Sequence, residues 1–217
     1  MTLEQLSKGL MQTFQQPNAW RFLVPPMAQE ILRRCAGLAE AIRKDNQGAI
    51  RHATADIMAW ILTTSGGLKI NLNNILATNF PGCCPYCGNK PCCCKPEKGL
   101  PGSHIYNKRH SLAGWQRLLN QIYGKANQER EPSFLASKLV EEAGEMVSAT
   151  CPLGNNPDDF LSELADLISR LIAIANYYSF SLEKAVLDTY PNFHCGRCGH
   201  RPCTCTSEEI ARNYRLA

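Results

Sequence analysis

No apolar stretch in this 217-residue sequence is long enough to cross a bilayer. The longest runs, IMAWIL (57–62) and LIAIA (171–175), fall far short of the roughly 20 residues that a spanning helix needs. The N-terminal segment MTLEQLSKGLMQTFQQ sets apolar residues at helical spacing among polar ones and lacks the unbroken apolar run of a secretory signal. A cytoplasmic chain with no membrane partner is therefore expected. No segment alternates apolar and polar residues in the manner of a half-buried strand, which argues against a sheet-based fold. Charge of one sign is also scarce: the net charge of +4 is too mild to demand nucleic acid or a membrane surface as partner.

Cysteine, by contrast, is abundant, with twelve in the chain. Without a secretion signal, and with the cysteines clustered at short regular spacings, they indicate metal binding rather than disulfides. Residues 84–94 read CPYCGNKPCCC and residues 195–205 read CGRCGHRPCTC. Both fit C-x2-C-G-x2-P-C-x-C. Four thiolates so closely spaced can close a tetrahedral zinc site, and the glycine after the second cysteine permits a tight turn. The expected ligands are Cys84, Cys87, Cys92 and Cys94 in the first quartet, and Cys195, Cys198, Cys203 and Cys205 in the second, giving two structural zinc ions per chain. An iron–sulfur cluster also suits four cysteines, and the spare thiols Cys83 and Cys93 leave the ligand choice in the first quartet open. Cys35 and Cys151 lie outside both quartets and are expected as small buried apolar residues. Lys90, Arg197, His200 and Arg201 could serve RNA binding. However, a four-thiolate zinc site carries about two negative charges that nearby cations would offset, and no aromatic stacking pair is interleaved. A structural role is preferred, each knuckle pinning the chain after the last helix of its own bundle.

The quartets belong to a longer repeat. ADIMAWIL from Ala55 aligns with ADLISRLI from Ala165, Leu72 with Leu182 and Pro81 with Pro191, at a constant offset of 110 residues that becomes 111 at the cysteines. Two copies follow. The first spans 1–95 with its knuckle at 84–94, and the second spans 103–206 with its knuckle at 195–205. A Gly/Pro/Lys-rich linker at 96–102 joins them, and 207–217 forms a helical tail. Helical periodicity dominates both copies. In the first, helices are expected near 2–16, 27–44 and 48–65, then a short turn at 71–77. In the second they are expected at 112–124 and 134–149, from an Asn156-Pro157-Asp158-Asp159 start through Tyr178, and after Ser181. The expected fold is all-α: two helical bundles packed as a pseudo-dimer, each followed by a small metal loop. A further homodimer of such pseudo-dimers is also expected.

The second copy carries KLVEEAGE (138–145) and SELAD (162–166). Glu142 and Glu145 share one helix face, as do Glu163 and Asp166 on the next helix. Four such carboxylates in one cleft repel one another unless a hard divalent cation, normally Mg2+, binds them. Acids at helical spacing are also common on solvated faces, but these border dense apolar positions. Gly144 inside a helix costs about 1 kcal/mol against Ala, which a close packing or ligand approach would justify.

EEAGE followed by ELAD matches the EExxE…ExxD signature of the all-α nucleoside triphosphate pyrophosphohydrolases, and residues 110–190 resemble the MazG-type members of that superfamily. The resemblance implies a Mg2+- or Mn2+-dependent hydrolase converting a nucleoside triphosphate to its monophosphate and pyrophosphate. It implies Glu142, Glu145, Glu163 and Asp166 as metal ligands, with Glu141 as a further catalytic acid in an outer or water-orienting role. Asn176 stands where some members contact substrate. Lys138 and Arg170 would meet phosphate or pair with neighbouring acids.

The first copy departs from the signature. In the preferred register, Arg34, Gly37 and Ala53 replace Glu142, Glu145 and Glu163, and only Asp56 matches Asp166. A shift of one turn would instead align Glu30 with Glu142. Arg33 or Arg34 could reach a triphosphate in the neighbouring site, although ordinary surface arginines are the preferred reading. The rival functions are a non-catalytic zinc-binding adaptor or nucleic-acid-binding protein on a retired hydrolase fold, and a related hydrolase acting on phosphoribosyl-ATP. Nucleic acid is the less favoured partner.

Overall fold

The computed structural model of the chain describes residues 1–14, 24–94, 106, 109–150 and 157–205. The described residues form eight α-helices and no strand. The first four are α1 (Leu3–Phe14), α2 (Val24–Arg43), α3 (Gln47–Gly67) and α4 (Leu72–Asn79). The last four are α5 (Leu112–Gln128), α6 (Pro132–Ala149), α7 (Pro157–Tyr177) and α8 (Leu182–Thr189). The linker at 96–102, Cys151, Asn156 and the tail at 207–217 lie outside the described residues.

The bounds of α3 and α7 differ by 110 residues at both ends, as do those of α4 and α8. The local causes repeat as well. Asn71 and Ser181 each cap the following helix through a side-chain oxygen that accepts from the backbone N–H three residues on. Lys69 and Ser179, just beyond α3 and α7, both adopt the left-handed conformation, with φ of 59° and 56°. The segment expected as a short turn at 71–77 is a full two-turn helix. Its Asn71 cap satisfies the first turn, and Leu72 and Leu76 are buried on one face.

One continuous apolar core runs through all eight helices. Its largest fully buried side chains include Trp60 and Trp115. Helix α2 packs along α6, and α4 and α8 each cross to the third helix of the other half, α7 and α3 respectively. None of the helices among the described residues is long and apolar enough to cross a membrane. Cys35 is completely buried, and burial pushes its thiol up to about 12, as befits a small apolar core residue.

Candidate active site and metal centres

The two quartets fold alike. In each, the first cysteine's N–H donates to a carbonyl five residues on (Asn89 or His200, both 3.1 Å), and the glycine N–H donates back to the first cysteine's carbonyl (both 2.8 Å). Gly88 and Gly199 take φ of 67° and 70°, a conformation side chains disfavour, which explains the glycine in the motif. Cys84, Cys87, Cys92 and Cys94 converge, as do Cys195, Cys198, Cys203 and Cys205. Sulfur–sulfur distances are 3.5 Å for Cys84–Cys94, 3.9 Å for Cys195–Cys205 and 3.8 Å for Cys198–Cys203. A tetrahedral ion with Zn–S of about 2.3 Å places its sulfurs about 3.8 Å apart, so the clusters fit zinc, whereas a disulfide would need about 2.05 Å. Cys83 and Cys93 stay outside the first cluster; Cys93 Sγ accepts a hydrogen bond from Asn89 at 3.0 Å.

Neither loop confines itself to its own half. Cys92 N–H donates to the carbonyl of Ile122 on α5 (2.8 Å), and Cys203 N–H donates to that of Thr13 on α1 (2.7 Å). Each loop was expected to pin the chain after the last helix of its own bundle, and the helix it attaches to belongs to the other half. Each docks on the first helix of that half, and the Thr13 carbonyl, in the last turn of α1, is one that the helix itself leaves without a donor. Before the second loop, Phe193 lies against Gly9 so tightly that a Cβ there would stand 2.7 Å from the ring.

Helices α6 and α7 bring Glu142, Glu163 and Asp166 together, with one carboxylate oxygen from each within 4.8 Å of the others. Glu142 is only 7% exposed. The Arg170 guanidinium neutralises it through Nε (3.0 Å) and Nη2 (2.7 Å). Glu163 is pushed up to about 7, first by burial and then by the charges of Glu145, Asp166 and Glu142, with Glu145 also hydrogen-bonded to it. Octahedral Mg2+ with oxygens at about 2.1 Å needs adjacent ligands about 3 Å apart, so a small closure of these acids would hold one. Glu145 sits at the exposed edge beside Glu163 rather than among the three converging oxygens.

Glu141 is exposed and paired with Lys138 at 2.6 Å, and neither borders the cavity that Asp166 and Arg170 line. Asn176 does line it, but its amide is engaged by Gln116 (3.1 Å). Of the two reasons expected for Gly144, close packing is absent: a Cβ there would meet open space.

That cavity measures about 700 Å³ and lies between the halves. The second half contributes Asp166, Arg170, Tyr123 and Arg130, and the first half contributes the end of α4 and the first cysteine loop with Tyr86. Tyr123 and Arg130 lie in no sequence motif, and Tyr86 is a variable position of the first cysteine motif; all three line this cavity because the loop crosses over. Burial and the neighbouring Cys84 thiol push the Tyr123 hydroxyl well above its ordinary range.

A second cavity of about 610 Å³ occupies the corresponding place in the other half and is lined by Asp56, Arg34, Trp60, Arg51, Tyr190 and the second loop's Arg197. Arg34 pairs with Glu30 (2.8 Å) and with Asp56, and lies 4.5 Å over the Trp60 ring. It therefore stands opposite Asp56 as Glu142 stands opposite Asp166, in agreement with the unshifted register. Arg34 is an interior cation rather than a surface arginine, while Arg33 is half-exposed and paired with Glu30. Neither lines the acid-bearing cavity. The Tyr190 hydroxyl donates to Asp56 (2.6 Å); Phe80, the corresponding residue, brings no hydroxyl to Asp166.

Neither a family model, nor a curated protein, nor a solved structure matches the chain.

Proposed function

We propose that the chain is a magnesium-dependent nucleoside triphosphate pyrophosphohydrolase, built as a tandem MazG-like pseudo-dimer with its active site in the second half. The observation that carries this reading is the convergence of Glu142, Glu163 and Asp166 beside a cavity that also presents Arg170 and Arg130. Glu142, Glu163 and Asp166 would hold the cation, which when bound neutralises phosphate oxygens and lowers the pKa of water. Without it, Arg170 compensates Glu142, and burial with the neighbouring carboxylates raises Glu163 to about 7. Arg170, which lines the cavity, would offer its guanidinium to the triphosphate were Glu142 to ligate a cation instead. Glu145, at the edge of the cluster, would accept the proton of the attacking water. The first half supplies the opposing wall. Its own site has an arginine where a cation ligand is needed, so it serves as scaffold rather than as a second catalytic centre.

The test is pyrophosphate release from a panel of canonical and modified triphosphates, with Mg2+ or Mn2+ present. Asp166→Asn should lower turnover at least about 100-fold, since it removes a ligating charge, while Asp56→Asn should leave it within a few-fold. Absence of hydrolysis across the panel would favour the adaptor reading. Equal damage from both substitutions would place part of the active site in the first half.

A further inference from the structure

We infer that the first cysteine loop is the nucleobase-recognition wall of the acid-bearing cavity, with Tyr86 as the side chain on which the base stacks. This rests on the pyrophosphohydrolase reading above. Tyr86 occupies the turn between Cys84 and Cys87. It is 41% exposed, one of three large hydrophobic side chains exposed among the described residues, and it lines the cavity. The cavity's volume of about 700 Å³ falls within the range of about 300–1,000 Å³ typical of small-molecule sites. Its groups are sorted by chemistry. Asp166 and Arg170, from α7, suit a metal-bound triphosphate, whereas the loop contributes the aromatic Tyr86.

A second observation comes from the other half. The residue corresponding to Tyr86 in the second loop is Arg197, and it lines the other cavity. The loop geometry thus delivers this turn residue to a cavity in both halves, but it delivers an aromatic ring only to the cavity lined by Asp166, one of the three converging acids. The loop is fixed in place by the Cys92 N–H bond to Ile122 on α5, so Tyr86 is presented from a braced turn. Every base has a π-face, so stacking alone accepts any base. The Asn127 amide, also bordering the cavity, offers an edge contact that could discriminate among them.

The test measures equilibrium binding of the common nucleoside monophosphates to the full zinc-loaded chain by calorimetry, beside steady-state hydrolysis of the triphosphates. Tyr86→Ala should weaken monophosphate binding and raise KM about tenfold with kcat changed less than about twofold, as expected for loss of one stacking contact. Tyr86→Phe should restore both. Inorganic tripolyphosphate, which has the charge but no base, should bind the wild type and Tyr86→Ala equally. Arg197→Ala should leave monophosphate affinity unchanged. Zinc content and far-UV circular dichroism of Tyr86→Ala check that the loop is intact. Unchanged monophosphate affinity in an intact Tyr86→Ala protein would overturn the inference, as would a wild type that binds no monophosphate. If no triphosphate is hydrolysed yet Tyr86→Ala still weakens monophosphate binding, the base wall stands and the hydrolase reading falls. If hydrolysis stands and Tyr86→Ala changes nothing, the reverse holds.

Discussion

Removing one charge from the acid cluster should stabilise the protein, and the effect should depend on pH. Glu163 is pushed up to about 7 from an ordinary 4.5 by burial and by Glu145, Asp166 and Glu142. Below the unfolded value both states hold the proton, and the cluster costs nothing through this group. As pH rises from about 4.5 to 7, the unfolded chain releases the proton while the folded chain keeps it, so stability falls across that window and levels off above it. The full shift corresponds to about 3 kcal/mol, at 1.36 kcal/mol per unit. Glu163 is partly exposed, so solvent screening reduces this to about 1–2 kcal/mol. Glu163→Gln keeps the size and a donor toward Glu145 while removing the charge. In zinc-loaded protein kept free of other divalent cations, it should raise stability by about 1–2 kcal/mol at pH 8, or roughly 2–6 °C in Tm for a chain of this size, and by nothing measurable near pH 4.5. Added Mg2+ should raise the wild-type Tm at pH 8 and leave the variant's unchanged. Calorimetric or circular-dichroism melts at the two pH values provide the assay. A variant equal to or less stable than wild type at pH 8 would refute the idea that these carboxylates are held together against their own repulsion.

Metal analysis of purified protein should find about two zinc ions per chain, one for each closed thiolate cluster; absence of metal, with the thiols as disulfides, would refute it. Gly9→Ala should destabilise by about 1–3 kcal/mol in denaturant melts, because its Cβ would stand 2.7 Å from the Phe193 ring and force the connection to the second loop outward. A neutral result would mean that this connection is loosely seated on α1.

The elements most legible in the sequence are those whose cause is local. Leu164, Leu167, Ile168, Leu171 and Ile172 recur at helical period and are all buried on α7. The 110-residue offset survives because both α3 and α7 must present the same apolar positions to the shared core. The cysteine quartets are equally readable, since four ligands within one short loop are brought together by the turn itself. Helix α4 was less so: its eight residues hold too few periods for a pattern to register, and its Asn71 cap had to be recognised instead.

The acid cluster was half legible. Spacing put Glu142 and Glu145 on one face and Glu163 and Asp166 on another, but only the packing of α6 on α7 determined that Glu142, Glu163 and Asp166 converge while Glu145 stays at the edge. Arg34 shows the same limit. In sequence it is one of two adjacent arginines; in the fold it alone turns inward to stack on Trp60 and pair with Asp56. Helices, repeat, thiolate loops and the stock of carboxylates were all readable from the residue order alone, because each depends on residues within a few turns or a single loop. The packing of the helices settled the rest: that each loop docks on the opposite half, that Tyr86, Tyr123 and Arg130 line one cavity, and which acids converge. Those contacts join residues tens of positions apart, and their geometry is set by how the helices pack.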